Sequence, residues 1–154
     1  IRPSVQDYQC LRSIPGNENA PIKRHESDYY LIDEQTNTHY LIELKIGGDL
    51  DTKKARSEKE AILEQFAILS NVLSQSTDIK IFFATAYNRY GEDIPWRQER
   101  VRQYFADDEL LIGKDFWNFV CRSDRGYVTV LDAYRENARI IKRSLDAIKE
   151  AYLG

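Results

Sequence analysis

The sequence predicts an α/β fold in which helices flank a mixed β-sheet, and three neighbouring stretches support that prediction. The first is a β-hairpin whose strands, residues 28–33 and 38–46, are rich in Tyr, Leu and Ile. The second is a long amphipathic helix, and the third is an almost wholly apolar strand at 79–87. Strand, helix and strand in this order form a right-handed crossover, so strands 38–46 and 79–87 should run parallel.

Length and composition set the first limits. A chain of 154 residues suits one domain, 1–154, with a buried core. The formal net charge of −3 requires any DNA-binding surface to be locally basic. Cys10 and Cys121 are too few for a disulfide framework or a zinc cage, which predicts a cytosolic protein with reduced thiols. The chain starts at Ile1 and lacks Met, which indicates a fragment, a processed chain or a sequence that has lost residues.

The hairpin brings three charged residues together. Residues 34–37 are polar and turn-prone, so they form the loop on which the strand register is centred. Asp28 then lies opposite Glu43. Because side chains alternate between faces along a strand, Asp28, Glu43 and Lys45 share one face at the open end of the hairpin. The same register pairs Tyr30 with Leu41 and Ile32 with His39. The opposite face of the second strand is apolar and consists of Tyr40, Ile42, Leu44 and Ile46.

Two carboxylates beside an ammonium group suit metal-dependent hydrolysis of a phosphodiester. Mg²⁺ takes one or two carboxylates, with waters and substrate phosphate oxygens completing its shell, so Asp28 and Glu43 are candidate metal ligands. Lys45 would orient or deprotonate the attacking water, or stabilise charge at phosphorus. Asp33 is a poor substitute, since it lies roughly 17 Å from Asp28 and on the other face. The alternative is an exposed ion pair of Glu43 and Lys45 on the sheet surface.

The predicted helix at 52–74 starts with an unusual concentration of positive charge. Asp51 is a good N-cap, and the basic residues of the first two turns are Lys53, Lys54, Arg56 and Lys59. Cations at a helix N-terminus oppose the helix dipole, and a bound anion would relieve that conflict. These residues are therefore candidate phosphate contacts. The alternative is a solvated face whose charge is moderated by Glu58 and Glu60.

Further candidate DNA contacts follow the apolar strand at 79–87. Asn88 and Arg89 come directly after it, at the sheet edge where α/β proteins commonly bind ligands. A helix predicted at 95–105 adds Arg97 and Arg100, and Arg side chains read base edges and grip phosphates. The alternatives are ordinary loop residues and an exposed, charge-rich helix.

The remaining stretches predict helices at both ends of the chain. A short helix is expected around 4–12, and a tight turn with a short aromatic helix at 112–119, whose Phe116, Trp117, Phe119 and neighbouring Val120 would be core. The last helix, 127–153, carries apolar residues at alternating spacings of four and three: Tyr127, Leu131, Tyr134, Ala138, Ile141, Leu145, Ile148 and Tyr152. We expect this seam to pack on the chain's own sheet, with a dimer contact as the alternative.

The hairpin with Asp28 and Glu43-Leu44-Lys45, followed by a helix and a buried strand, resembles the core of PD-(D/E)xK nucleases, although Asp28 lacks the preceding Pro. Residues 42–71 are similar to type II restriction endonucleases of the TdeIII/MjaII group, and the IGKDFWNF segment at 112–119 resembles restriction-enzyme sequence. The likeness covers most of residues 25–122. It implies a restriction-endonuclease-like core and a single nuclease domain.

That resemblance implies Mg²⁺-dependent cleavage of double-stranded DNA at a specific site. Asp28 and Glu43 would hold Mg²⁺, and Lys45 would assist the water. It also implies a homodimer in which each subunit cuts one strand, within a restriction–modification system in the cytoplasm of a prokaryotic cell. The alternatives are a structure-selective or DNA-repair nuclease of the same fold, and a catalytically inactive DNA-binding or assembly domain.

Overall fold

A computed structural model of the protein describes residues 2–16, 26–47 and 49–153. The elements, in chain order, are α1 (Val5–Ser13), β1 (Tyr29–Asp33), β2 (Thr38–Lys45), α2 (Thr52–Val72), β3 (Asp78–Thr85), α3 (Glu99–Arg102), a 3-10 turn (Asp107–Glu109), β4 (Leu110–Ile112), α4 (Lys114–Val120) and α5 (Gly126–Leu153). Helices flank a mixed sheet, so the predicted α/β class is confirmed.

The sheet has the strand order β1-β2-β3-β4. Strands β1 and β2 are antiparallel, and Tyr30 lies opposite Leu41 as predicted. Strands β2 and β3 are parallel, as predicted, and β4 adds a further parallel strand beside β3. Strand β4 was not predicted. It has three residues, too few for a recognisable alternation, and it depends on pairing with the buried edge of β3.

The hairpin turn spans residues 34–37, and local contacts explain why it forms there. The Asp33 carboxylate accepts a hydrogen bond from the Gln35 backbone N–H at 3.0 Å. Asn37 adopts a left-handed conformation with φ 51°, which Asn tolerates better than most residues. The turn therefore fixes the register that brings Asp28 towards Glu43.

Helix α2 starts at Thr52, and Asp51 caps it by accepting a hydrogen bond from the Lys54 N–H at 2.8 Å. Its apolar stripe is buried on one face of the sheet against residues of β2 and β3: Ala55, Ile62 and Phe66 pack with Leu41, Ile81 and Phe83. A second cluster covers the opposite face: Ile42, Phe82, Ala84 and Phe116, with Tyr40, Leu44, Trp117 and Phe119 partly buried. The prediction that Val120 is core is wrong, because its side chain is exposed, and Ile46, at the end of the predicted apolar face, is exposed as well.

The helix predicted at 95–105 is also wrong in extent, since α3 covers only Glu99–Arg102. Trp96 and Gln98 before it are buried, and the Trp96 ring lies 6.0 Å from that of Phe83. Because Trp96 is buried against the sheet, the backbone around it, before α3 begins at Glu99, is not helical. Tertiary packing thus overrides the local helical pattern.

Helix α5 departs from the prediction that it packs on its own sheet. Its first turn is fixed against α4, where a Cβ on Gly126 would lie only 2.5 Å from the Trp117 carbonyl oxygen. From residue 132 to residue 152 every side chain is exposed, including Tyr134, Ile141 and Leu145 of the heptad seam. The helix therefore projects with its apolar seam uncovered by the described residues. None of the described helices is long and apolar enough to cross a membrane.

Candidate active site

The open end of the hairpin brings together the three residues that the register predicted. The Lys45 ammonium contacts Glu43 Oε1 and lies 4.0 Å from Asp28 Oδ2. Asp28 Oδ2 also accepts a hydrogen bond from the Leu44 backbone N–H at 2.9 Å. That bond orients the Asp28 carboxylate towards β2, so the predicted grouping exists, while the catalytic roles stay predictions.

Helix α2 is hydrogen-bonded to the two residues that precede Asp28. The buried Gln65 side chain donates a hydrogen bond to the Glu26 carbonyl oxygen at 3.1 Å and accepts one from the Ser27 hydroxyl. These bonds tie the approach to Asp28 to a helix that itself packs on the sheet. Glu26 thus contacts α2 through its backbone. Glu18, a second acid in the segment before Asp28 that the sequence offers to a metal site, lies outside the described residues.

The three side chains differ in their access to solvent. The Asp28 side chain is 42% exposed, that of Lys45 25% and that of Glu43 12%. Burial raises the pKa of the Glu43 carboxyl to about 7, with Lys45 opposing the rise and the nearby Glu58 carboxylate adding to it. Burial lowers the pKa of Lys45, but Glu43 and Glu58 outweigh it, and the net shift is upward.

Glu58 is the site residue that the sequence reasoning missed. Its Oε1 lies 3.3 Å from Lys45 Nζ, and its side chain is 18% exposed. A signal for it was present, because Glu58 comes three residues after Ala55 and four before Ile62. Those spacings place Glu58 on the helix face that packs on the sheet.

The donor set fits Mg²⁺. Asp28 and Glu43 supply carboxylate oxygens, the ligand type that Mg²⁺ prefers. Asp28, Glu43 and Glu58 outnumber the single ammonium of Lys45, which leaves an excess of negative charge that a divalent cation would balance. Within the described ranges, no three His, Cys, Asp or Glu side chains converge to hold a metal ion. A metal here would therefore rely on Asp28 and Glu43 together with water or substrate oxygens.

The predicted phosphate contacts at the start of α2 divide into exposed and buried residues. Lys53, Lys54 and Arg56 are exposed, and Arg56 pairs with Glu60 at 2.7 Å. The prediction that Lys59 contacts phosphate is wrong, because Lys59 is only 3% exposed and forms an ion pair with Glu109 at 2.7 Å.

The Lys59 ammonium also donates a hydrogen bond to the Tyr8 hydroxyl at 2.8 Å. This cluster joins α1, α2 and the 3-10 turn. Position 59 lies on the stripe that faces the core, so its ammonium cannot reach DNA.

Of the DNA contacts predicted after β3, three arginines lie together at the surface and Asn88 does not. The prediction that Asn88 contacts DNA is also wrong, because Asn88 is buried. Its side chain donates a hydrogen bond to the Ile94 carbonyl oxygen at 2.6 Å and accepts one from the Tyr90 N–H at 3.0 Å. Those bonds shape the loop. Arg89, Arg97 and Arg100 line one open groove together with Asp49, which forms an ion pair with Arg89.

A family model described as "Type II restriction endonuclease, HinfI" matches residues 4–138. That range contains every strand described above, helices α1 to α4 and the first part of α5. Asp28, Glu43, Lys45 and Glu58 all lie within it. The likeness to the TdeIII/MjaII group stays a prediction, and neither a curated protein nor a solved structure matches the chain.

Proposed function

Since the chain belongs to the HinfI family of type II restriction endonucleases, we propose that it cleaves double-stranded DNA at a specific site with Mg²⁺ as cofactor. The observation that carries this proposal is the grouping of Asp28, Glu43 and Lys45 at the open end of the hairpin. The enzyme would belong to a restriction–modification system in the cytoplasm of a prokaryotic cell.

Asp28 and Glu43 hold the metal in this proposal. When bound, Mg²⁺ makes hydroxide available near neutral pH and offsets negative charge at phosphorus. The hydrogen bond from the Leu44 N–H keeps the exposed Asp28 carboxylate directed towards β2. Lys45, held between carboxylates, is placed to orient the attacking water or to stabilise charge on the phosphate oxygens.

The DNA backbone contacts come from two local groups of basic residues. Arg89, Arg97 and Arg100 share the groove beyond the ends of β2 and β3. Lys53, Lys54 and Arg56 lie on the first turns of α2, which follows β2 directly. Both groups therefore extend from the sheet edge at which Lys45 ends its strand. Because the chain has a net charge of −3, DNA binding requires a locally basic surface, and these two groups provide one.

A homodimer is the proposed assembly, and the uncovered seam of α5 supports it. Tyr134, Ile141, Leu145, Ile148 and Tyr152 are each at least half exposed at heptad spacing. Along one side of the exposed seam, a basic residue directly follows each of Tyr134, Ile141 and Ile148: Arg135, Lys142 and Lys149.

The opposite flank of the seam is uncharged, with Asn137, Ser144 and Ala151. A parallel pair of α5 helices sets the basic flank of one copy against the uncharged flank of the other. An antiparallel pair sets the basic flanks against each other. A second copy in parallel orientation is therefore the partner that fits.

Cleavage of plasmid DNA by the wild type and by Lys45→Ala tests the proposed activity. With Mg²⁺, the wild type should give discrete bands, and a chelator should abolish them. Lys45→Ala should lose cleavage while retaining its fold and much of its DNA binding, because it removes a group that acts on the reaction. Unchanged cleavage by Lys45→Ala would refute the role of this residue. A smear, or cutting confined to branched DNA, would favour a repair nuclease.

A further inference from the structure

Glu58 contacts the ammonium group of Lys45 from outside the hairpin. We propose that Glu58 is a positioning residue that keeps Lys45 in place when Glu43 binds the metal, an inference that rests on the proposed function. Lys45 Nζ lies 3.3 Å from Glu58 Oε1, contacts Glu43 Oε1 and is 4.0 Å from Asp28 Oδ2. One ammonium is therefore shared by three carboxylates: Asp28 just before β1, Glu43 in β2 and Glu58 in α2.

Metal binding changes the attraction between Lys45 and the hairpin acids. A divalent cation on Asp28 and Glu43 neutralises the carboxylates that hold Lys45 and repels its positive charge. A Lys side chain is long and flexible, so loss of its counter-charge would release it from a single position. Glu58, which does not bind the metal in this proposal, still lies 3.3 Å from the ammonium and can hold it beside the reacting group.

The placement of Glu58 suits an anchor for Lys45. Its neighbours on the helix face, Ala55 and Ile62, are 0% and 2% exposed, so this part of α2 is firmly packed on the sheet. The Glu58 side chain is itself only 18% exposed, which strengthens its attraction for Lys45 relative to a surface pair. The three carboxylates meet at the Lys45 ammonium, and no three acids among the described residues are arranged to hold a metal ion, so we assign Glu58 to Lys45 and not to the metal.

Glu58→Gln tests this assignment because it removes the charge and keeps the shape. Glu60→Gln is the matched control: it makes the same change on the same helix, where Glu60 is exposed and pairs with Arg56. At saturating Mg²⁺, Glu58→Gln should lower the single-turnover cleavage rate by about 10–100-fold. Its Mg²⁺ affinity, measured by calorimetry, should stay within about threefold of the wild type, and Glu60→Gln should match the wild type in both. A more than tenfold loss of Mg²⁺ affinity would instead make Glu58 a metal ligand and overturn the proposal.

A second measurement is independent of cleavage. Acetylation of Lys45 by an amine reagent, followed by mass spectrometry in Mg²⁺, reports how firmly its ammonium is held and how readily it loses its proton. Glu58→Gln should raise the acetylation rate of Lys45 several-fold, and Glu58→Asp, which keeps the charge, should restore most of the protection. Equal rates in Glu58→Gln and Glu60→Gln would overturn the proposal.

The two readouts separate this inference from the proposed function. If the wild type does not cleave DNA, the proposed function fails, and the acetylation rates still decide whether Glu58 holds Lys45. If the wild type cleaves, Lys45→Ala is inactive and Glu58→Gln behaves like Glu60→Gln, only the inference about Glu58 fails.

Discussion

Glu43 combines a covered position with charged neighbours on two sides. Its side chain is 12% exposed, and Lys45 and Glu58 both contact it. Burial disfavours its ionised form, Glu58 disfavours it further, and Lys45 compensates only in part. A carboxylate in this position gains most from a divalent cation, which would relieve both unfavourable effects.

The raised pKa of Glu43 makes stability depend on pH in the metal-free protein. The pKa is raised from 4.5 to about 7, so between these values the folded state binds more protons than the unfolded state. The free energy of unfolding should therefore fall as pH rises from 4.5 to 7, by on the order of 1–3 kcal/mol, and level off above pH 7. Urea unfolding in a chelator measures this dependence.

Glu43→Gln is the control for the pH series, since it removes the titrating group and keeps a similar shape. Its free energy of unfolding should vary much less between pH 4.5 and 7. If wild type and variant show the same slope, another group is responsible and the description of Glu43 is incorrect. The Glu58 carboxylate adds to the rise in the pKa of Glu43, so a Glu58→Gln variant should also flatten the slope, although less completely.

At the scale of elements, local signals predicted the hairpin and α2 well. The polar loop at 34–37 set a register that brought Asp28, Glu43 and Lys45 together, and Asp51 marked the start of α2. These features depend on turn chemistry, strand alternation and capping, which neighbouring residues determine.

Features that depend on distant contacts were missed. Strand β4 exists through its pairing with β3, and α3 is short because Trp96 is buried against Phe83. Glu58 and Lys59 are adjacent on α2, yet one reaches Lys45 and the other pairs with Glu109 in the interior. Charge pattern alone suggested a single basic face there, whereas helical periodicity separates the two environments.

Helix α5 carries the prediction about assembly. Leu145→Lys places a charge in the exposed seam, so it should dissociate the proposed dimer into monomers without unfolding the chain. Glu136→Lys, on the opposite side of the same helix, should leave the dimer intact. Light scattering coupled to size-exclusion chromatography measures the mass of each variant. A wild type that stays monomeric at high concentration would contradict the role given to α5.

The chain as a whole is acidic, and the DNA that it is proposed to cleave is a polyanion. The net charge of −3 repels DNA at long range, so we propose that binding comes from the groove of Arg89, Arg97 and Arg100 and from the start of α2. Counterion release makes such binding steeply dependent on salt. The charge distribution thus predicts which substitutions weaken DNA binding.

Arg97→Ala and Arg100→Ala should each weaken DNA binding and reduce the slope of log Kd against log salt concentration by about 1 for each phosphate contact removed. The measurement uses fluorescence anisotropy on the Lys45→Ala background, where we expect no cleavage. Arg143→Ala on the projecting part of α5 is the control and should leave the slope unchanged. Equal slopes for all variants would place the DNA contacts elsewhere.

Sequencing the ends of duplex DNA digested by the wild-type protein in Mg²⁺ tests the central claim most directly. The claim is that the acids and the amine gathered at the hairpin cut DNA at a defined site, as the family of the chain implies. All ends should then share one short common sequence and a constant cut position. Ends without a common sequence, or DNA that stays intact, would contradict it.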